Sequence, residues 1–174
     1  IHYEDCGKNI RHPYIYGSPL HVRQIFVNIL SNAIKYNKPD GEIFVKIESK
    51  KCSKKKIFYT CTITDTGIGM SREFLQHLFE PFVQEKVDAR SVYYGTGLGM
   101  AIVKSLVDMM HGMIDVVSRP GEGTTFEVTI PFDIAEKEDL EGHVKRKEEV
   151  SIEGVKILIV EDNDLNREIA VTLL

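Results

Sequence analysis

The sequence predicts an α/β domain, and three observations carry that reading. Apolar residues recur at helical spacing over residues 19–36, strand-like runs follow in two pairs, and a second helical stripe starts directly after the glycine-rich stretch 95–100. In the first segment Ile25, Phe26, Ile29, Leu30, Ala33 and Ile34 come in pairs every four positions. That is an amphipathic helix, and its apolar face needs a sheet to pack on.

Residues 42–48 and 57–64 read as strands. Ile43, Val45 and Ile47 alternate in the first, and Ile57, Tyr59, Cys61 and Ile63 in the second. The lysines between them, Lys50, Lys51 and Lys54 to Lys56, read as the solvated tip of a hairpin. A short helix starts near Ser71, where a serine followed by Glu73 gives an N-cap with an acidic first turn. Residues 83–94 are charged and aperiodic, the pattern of a mobile lid. Leu98, Ile102, Leu106 and Met109 then form one stripe of a helix over 98–110. Strands at 113–118 and 124–131, separated by the turn sequence RPGEG, complete the first domain at residue 132.

From 133 to 154 the composition shifts to Glu, Lys and Asp, which marks a solvated linker. VKILIVEDN then opens a second domain over 155–174, with the continuous apolar run of a strand buried on both faces. The chain begins at Ile1 without a methionine and stops at Leu174 within a helical pattern, so it reads as an excised piece of a longer protein.

Composition narrows the function. A net charge of −4 gives no basis for nucleic-acid binding, which leaves a basic footprint. Cys6, Cys52 and Cys61 form neither a CxxC pair nor an even-numbered disulfide framework, and the six histidines lack metal-ligand spacing. A cytoplasmic setting is expected. No apolar run reaches the roughly 20 residues needed to span a bilayer, so no membrane contact is expected of this piece.

Three groups of residues point to chemistry. Asn28, Asn32 and Lys35 lie at i, i+4 and i+7, on one stripe roughly opposite the apolar face. The stripe is either an ordinary wet face or a ligand set. Asparagine is a poor helix-interior residue, whereas its amide oxygen is a hard ligand suited to a Mg²⁺ ion that bridges nucleotide phosphates. Lys35 then meets a phosphate as a point charge. In DTGIGM, Asp65 ends a strand and is either a cap or an acceptor for an exocyclic amine, with Gly67 and Gly69 letting a flat ring approach the backbone. GTGLGM places Gly95, Gly97 and Gly99 at a helix start, where unpaired N–H groups and the positive end of the helix dipole bind anions.

In combination these motifs identify a family. QIFVNILSNAIKYN, DTGIGM, LFEPFVQ and GTGLGMAIVKSLVDMMHG resemble the N, first-glycine, F and second-glycine boxes of sensor histidine kinases, over most of residues 19–132. The resemblance implies a two-layer sandwich, a mixed sheet covered on one side by helices, that binds ATP with Mg²⁺. It is distinct from a Rossmann domain, whose glycines follow the first strand of a βαβ unit. By resemblance, Asn32 coordinates Mg²⁺, Asn28 and Lys35 assist at the phosphates, and Tyr36 lies close to the nucleotide. Asp65 receives the adenine amino group, Gly67 and Gly69 line the base pocket, and Gly95, Thr96, Gly97, Leu98 and Gly99 wrap the phosphates. Thr125 is expected to be the pocket hydroxyl next to adenine. Phe79 and Phe82 anchor the lid, meet partner helices or simply pack in the core.

The family places its phosphoacceptor histidine on a separate dimerisation hairpin, which this sequence does not contain. Relatives that hydrolyse ATP carry a glutamate one turn before the metal-binding asparagine. Here that position is Asn28, and an amide cannot act as general base. Transfer to a protein histidine is therefore expected over hydrolysis. Residues 155–174 resemble the first strand and helix of a response-regulator receiver domain, with Glu161 and Asp162 matching its Mg²⁺-binding acidic pair in an incomplete site. Such a receiver makes the parent a hybrid kinase that passes phosphate from ATP to His to Asp. A nucleotide-binding scaffold without transferase activity, and a hydrolysing ATPase of the topoisomerase, MutL or chaperone type, are the competing readings.

Overall fold

The computed structural model describes His12 and residues 14–51, 53–85, 96–137 and 168. The chain divides into two units, Ile1–Lys137 and Glu138–Leu174. Apart from residue 168, the expected receiver segment, with Glu161 and Asp162, lies outside the described residues, as do most of the expected lid and Gly95.

Among the described residues the first unit holds five strands and three helices: β1 (Ile15–Tyr16), α1 (Pro19–Lys35), β2 (Ile43–Lys51), β3 (Lys56–Asp65), α2 (Arg72–Leu75), α3 (Gly99–Met109), β4 (Met113–Arg119) and β5 (Gly123–Ile134). All the strands join one sheet in the order β1-β5-β3-β2, with β4 also on β5, and every pairing is antiparallel. β5 is the axis of the sheet. β3 runs along one edge of it, while β4 and β1 take successive lengths of the other, since β4 pairs with Gly123 to Thr129 and β1 with Asp133 and Ile134.

Local chemistry explains the helix ends. The Ser18 hydroxyl caps α1 by accepting from the His21 N–H at 3.3 Å, and Pro19 occupies a first-turn position whose missing N–H costs nothing. Ser71 caps α2 in the same way through the Phe74 N–H. The β2–β3 hairpin closes at Ser53, whose hydroxyl accepts from the N–H groups of Lys55 and Lys56, and the exposed Lys54, Lys55 and Lys56 mark its tip as expected.

Alternation decides the core. On β3 the residues Ile57, Cys61 and Ile63 point inward, opposite Phe132, Val128 and Phe126 of β5. Ile25, Ile29 and Ala33 of α1 and Met100, Val103 and Val107 of α3 cover that face. The other face carries threonines paired across strands: Thr60 with Thr129 at 2.8 Å and Thr64 with Thr125 at 3.0 Å. The two-layer arrangement is therefore present, with α1 and α3 on one side of the sheet.

Several expectations need correction. α3 buries Met100, Val103 and Val107, while Ile102 and Met109 of the expected stripe are 40% and 59% exposed. Ile34 of α1 is also outside the core. β5 continues past residue 132, because Ile134 and Ala135 donate N–H bonds to the carbonyls of Lys55 and Tyr14. β1 is too short to leave a sequence pattern. Among the described residues no helix is long and apolar enough to cross a membrane.

Candidate functional site

A cleft of about 340 Å³ opens beside α1, between the segment after β3 and the start of α3. Its walls come from three motifs far apart in the chain. Asn32 and Lys35 come from α1 and Tyr36 from its C-cap, Asp65, Gly69 and Met70 from the end of β3 and the loop behind it, and Thr96, Gly97 and Gly99 from the approach to and first residue of α3. Thr124 and Phe126 of β5 and Glu85 complete the parts used below.

The floor is built around Asp65, which is 8% exposed. Its Oδ1 accepts two backbone N–H groups, from Gly67 at 2.9 Å and Thr124 at 3.2 Å. Among the described residues no hydrogen bond reaches Oδ2, which is left as the open acceptor of the carboxylate. Burial pushes the carboxyl above its ordinary range, and the two backbone donors pull it partly back.

The loop after Asp65 is fixed from both sides. The Thr66 hydroxyl accepts from the Glu42 N–H at 2.8 Å, and the Ile68 N–H donates to the Tyr36 carbonyl at the end of α1. The β4–β5 turn adds the Gly121 N–H, which donates to the Ile68 carbonyl at 2.7 Å. These approaches explain two glycines. A Cβ on Gly67 would come within 2.4 Å of the Tyr36 carbonyl oxygen. At Gly69, φ is +65° and a Cβ would sit 1.9 Å from the Arg119 carbonyl oxygen, so conformation and space both demand glycine.

At the opposite end, α3 begins without a side-chain cap and without an acid in its first turn, in contrast to the serine caps of α1 and α2. Its first N–H groups and the positive dipole end stand beside the cleft-lining Gly97 and Gly99, an arrangement suited to an anion. The Lys35 ammonium lies 4.8 Å above the ring of Tyr36, which holds a cation at the same wall. Glu85 Oε1 accepts the Ser71 N–H at 2.9 Å and so caps the start of α2 together with the Ser71 hydroxyl.

The structure brings together most, though not all, of the residues expected here. Asn32, Lys35, Tyr36, Asp65, Gly69, Thr96, Gly97 and Gly99 share the cleft. Gly67 does not line it, being buried against the end of α1 as a close-packing residue. Leu98 is the N-cap of α3 and contributes backbone only to the helix start, outside the lining. Asn28 turns inward rather than to solvent: its Nδ2 is buried with no hydrogen-bond partner among the described residues, and its Oδ1 faces Gly99, where a Cβ would lie 3.3 Å away.

Thr125 is placed on the wrong side of the sheet. Its hydroxyl pairs with Thr64 on the face away from the helices, while Thr124, one residue earlier, is 7% exposed and lines the cleft. The period-2 alternation of β5 decides between them, since Thr124 shares the inward face with Phe126 and Val128. That parity was readable in the sequence from Phe126. Ser118 left no signal at all, because its role depends on contacts with Met70, Gly123 and Thr124.

Comparison with known proteins agrees with this geometry. Residues 17–134 match the family model described as histidine kinase-, DNA gyrase B- and HSP90-like ATPase. The chain is 39% identical over 157 residues to the autoinducer 2 sensor kinase/phosphatase LuxQ of Vibrio parahaemolyticus, covering 87% of this chain and 18% of that protein. It therefore spans under a fifth of that relative's length. Among solved structures, the mycobacterial sensor histidine kinase MprB superposes with a TM-score of 0.55 at 27% identity, over 70% of this chain and 78% of that one. Full-length ShkA in complex with AMPPNP superposes with a TM-score of 0.52 at 29% identity, over 70% of this chain and 23% of that one. With its motifs, its sheet and its cleft in agreement, the chain belongs to the histidine kinase-, DNA gyrase B- and HSP90-like ATPase family.

Proposed function

We propose that this chain is the ATP-binding catalytic domain of a hybrid sensor histidine kinase. It holds ATP and presents the γ-phosphate to a histidine on a dimerisation domain of the same protein, for relay to a receiver aspartate. The convergence of Asn32 and Lys35, Asp65 and Gly69, and Gly97 and Gly99 on one cleft carries this reading. The sensor-kinase relatives and the AMPPNP complex of ShkA support it.

Each part has a physical task. Asp65 Oδ2 accepts a hydrogen from the adenine amino group, while Gly69 leaves room for the ring. The uncapped start of α3 donates N–H groups to phosphate oxygens, with Thr96, Gly97 and Gly99 alongside, and Lys35 adds a positive charge. Among the described residues no group of three His, Cys, Asp or Glu side chains could hold a metal. A single amide oxygen, that of Asn32, fits a Mg²⁺ ion that arrives on the nucleotide and keeps most of its other ligands. When bound, Mg²⁺ neutralises phosphate charge.

The cleft favours transfer over hydrolysis. Its carboxylates among the described residues are Asp65, committed to the base end, and Glu85, whose Oε1 holds the Ser71 N–H. Asn28 is an amide and takes no proton at neutral pH, so no group is assigned to deprotonate water. In the tail, Glu161 and Asp162 are assigned to the Mg²⁺-binding acidic pair of a receiver domain.

The test mixes the chain with the dimerisation hairpin of its own protein, Mg²⁺ and γ-labelled ATP. Acid-labile label appears on the hairpin with the wild-type chain and disappears with Asn32→Ala. Equal label with both chains overturns the role of Asn32, and ATP binding without label in either favours a scaffold.

A further inference from the structure

We infer that Ser118 is a positioning residue for base selection, acting through the hydroxyl of Thr124; this rests on the nucleotide-binding reading above. Ser118 sits on β4 and makes no contact with the cleft of its own. Three groups nevertheless converge on its Oγ. The Met70 N–H donates to it at 2.9 Å, the Gly123 carbonyl lies at 2.9 Å, and the Thr124 hydroxyl at 2.9 Å. Met70 and Thr124 both line the cleft, so one side chain ties two of its walls to the β4–β5 turn.

Counting protons gives the pattern a direction. A serine hydroxyl has one hydrogen and two lone pairs. The carbonyl of Gly123 can only accept, so the Ser118 hydrogen goes to it. The Met70 N–H fills one lone pair. The second lone pair is filled only if the Thr124 hydroxyl donates to Ser118. In this arrangement every capacity of Ser118 is used, and the hydrogen of Thr124 is turned away from the cleft.

Thr124 therefore shows the cleft lone pairs and no proton. Beside it stands Asp65, whose Oδ1 is occupied by the N–H groups of Gly67 and Thr124 and whose Oδ2 accepts. Two adjacent acceptors fit a purine that carries an amino group at position 6. A purine with a carbonyl there brings a third acceptor to the same place and has no proton to offer from that atom. Without the Ser118 hydroxyl the Thr124 hydrogen is released, turns into the cleft and can meet a carbonyl.

The measurement is calorimetric titration of the whole chain with ATP and with ITP, which carries a carbonyl in place of the 6-amino group, each with Mg²⁺. The wild-type chain binds ATP at least about tenfold more tightly than ITP, the scale expected when one buried polar contact is mismatched. In Ser118→Ala the ATP/ITP ratio falls about tenfold by the same reasoning, with part of the change a gain in ITP binding. Ser118→Thr keeps the hydroxyl on a β-branched side chain suited to a strand and retains the wild-type ratio. In Thr124→Val, adding Ser118→Ala leaves the ratio where Thr124→Val alone put it.

An equal loss of both nucleotides in Ser118→Ala makes the serine a structural residue and overturns the inference. So does an unchanged ratio, or a further shift in the Thr124→Val background. Wild-type chain that binds neither nucleotide overturns the reading of the cleft as well, and is thereby distinguished from failure of the Ser118 assignment alone.

Discussion

Asp65 divides its work between two oxygens, one tied to the backbone and one open to a ligand. Burial raises its pKa, so the folded chain holds the carboxyl proton more tightly than the unfolded chain does. The contribution of Asp65 to stability is thus complete below the ordinary carboxylate value of 3.8 and is lost as pH rises through the folded value. Ligand binding runs the other way, because only the ionised carboxylate leaves Oδ2 as an acceptor for an amino group. Asp65→Asn keeps an oxygen for the Gly67 and Thr124 N–H groups and removes the buried charge. We expect its melting temperature at pH 7 to equal or exceed that of wild type, while the ATP Kd rises by about tenfold or more, the worth of one charge-assisted hydrogen bond. Melting curves and titrations from pH 4 to 8 check both halves, and the variant loses the acid-side fall in affinity.

Glycine 69 makes a comparable point about space. Gly69 and Gly121 both have positive φ, but a Cβ on Gly69 meets the Arg119 carbonyl whereas one on Gly121 meets nothing within 4 Å. Gly121→Ala should cost about 1–2 kcal/mol, the left-handed penalty alone. Gly69→Ala should cost on the order of 3 kcal/mol or more, because the turn must also move. Urea unfolding of the two variants separates conformation from contact.

Helix α1 serves the core and the cleft at once. Ile25, Ile29 and Ala33 are buried against the sheet, Asn32 and Lys35 reach the cleft, and Leu20, Val27 and Ile34 are exposed. The rotation of the helix about its axis therefore sets the position of the amides. Ile29 is 0% exposed, so Ile29→Ala should destabilise the chain by about 2–5 kcal/mol through lost burial and the remaining cavity. Ile34 is 59% exposed, and Ile34→Ala should stay within about 0.5 kcal/mol. Both are read from denaturant midpoints. Equal effects would mean that the helix is turned from the orientation described. α3 meets the same requirement with its start, where the lack of a side-chain cap leaves N–H groups beside Gly97 and Gly99.

Across the molecule, the cleft depends on β5. That strand pairs with β3, β4 and β1 and so brings Thr124 next to Asp65 and the β4–β5 turn onto the glycine loop. Three sequence segments meet there: one supplies the Asn32 amide and Lys35, one a strand-end carboxylate, and one the glycines at a helix start. Much of this was legible in the chain. Helices α1 and α3, the lysine-tipped hairpin and the cap at Ser71 follow from hydrophobic period, turn residues and N-cap chemistry, all set by neighbours within a few positions. The resemblance to histidine kinases assigned Asn32, Lys35, Asp65 and Gly69 to one ligand, and the cleft brings them together.

The sequence settled what depends on near neighbours: the helices, the longer strands and the chemical types available to a ligand. Folding settled which of those groups face the cleft. Thr124 meets Asp65 there because β3 and β5 pair in register, and Asn28 buries its Nδ2 while its Oδ1 faces Gly99 at the start of α3. The links from Ser118 to Met70 and from Asp65 to Thr124 cross 48 and 59 residues. Local pattern carries no information over such separations, because the contacts exist only once sheet register has brought the segments within hydrogen-bonding distance.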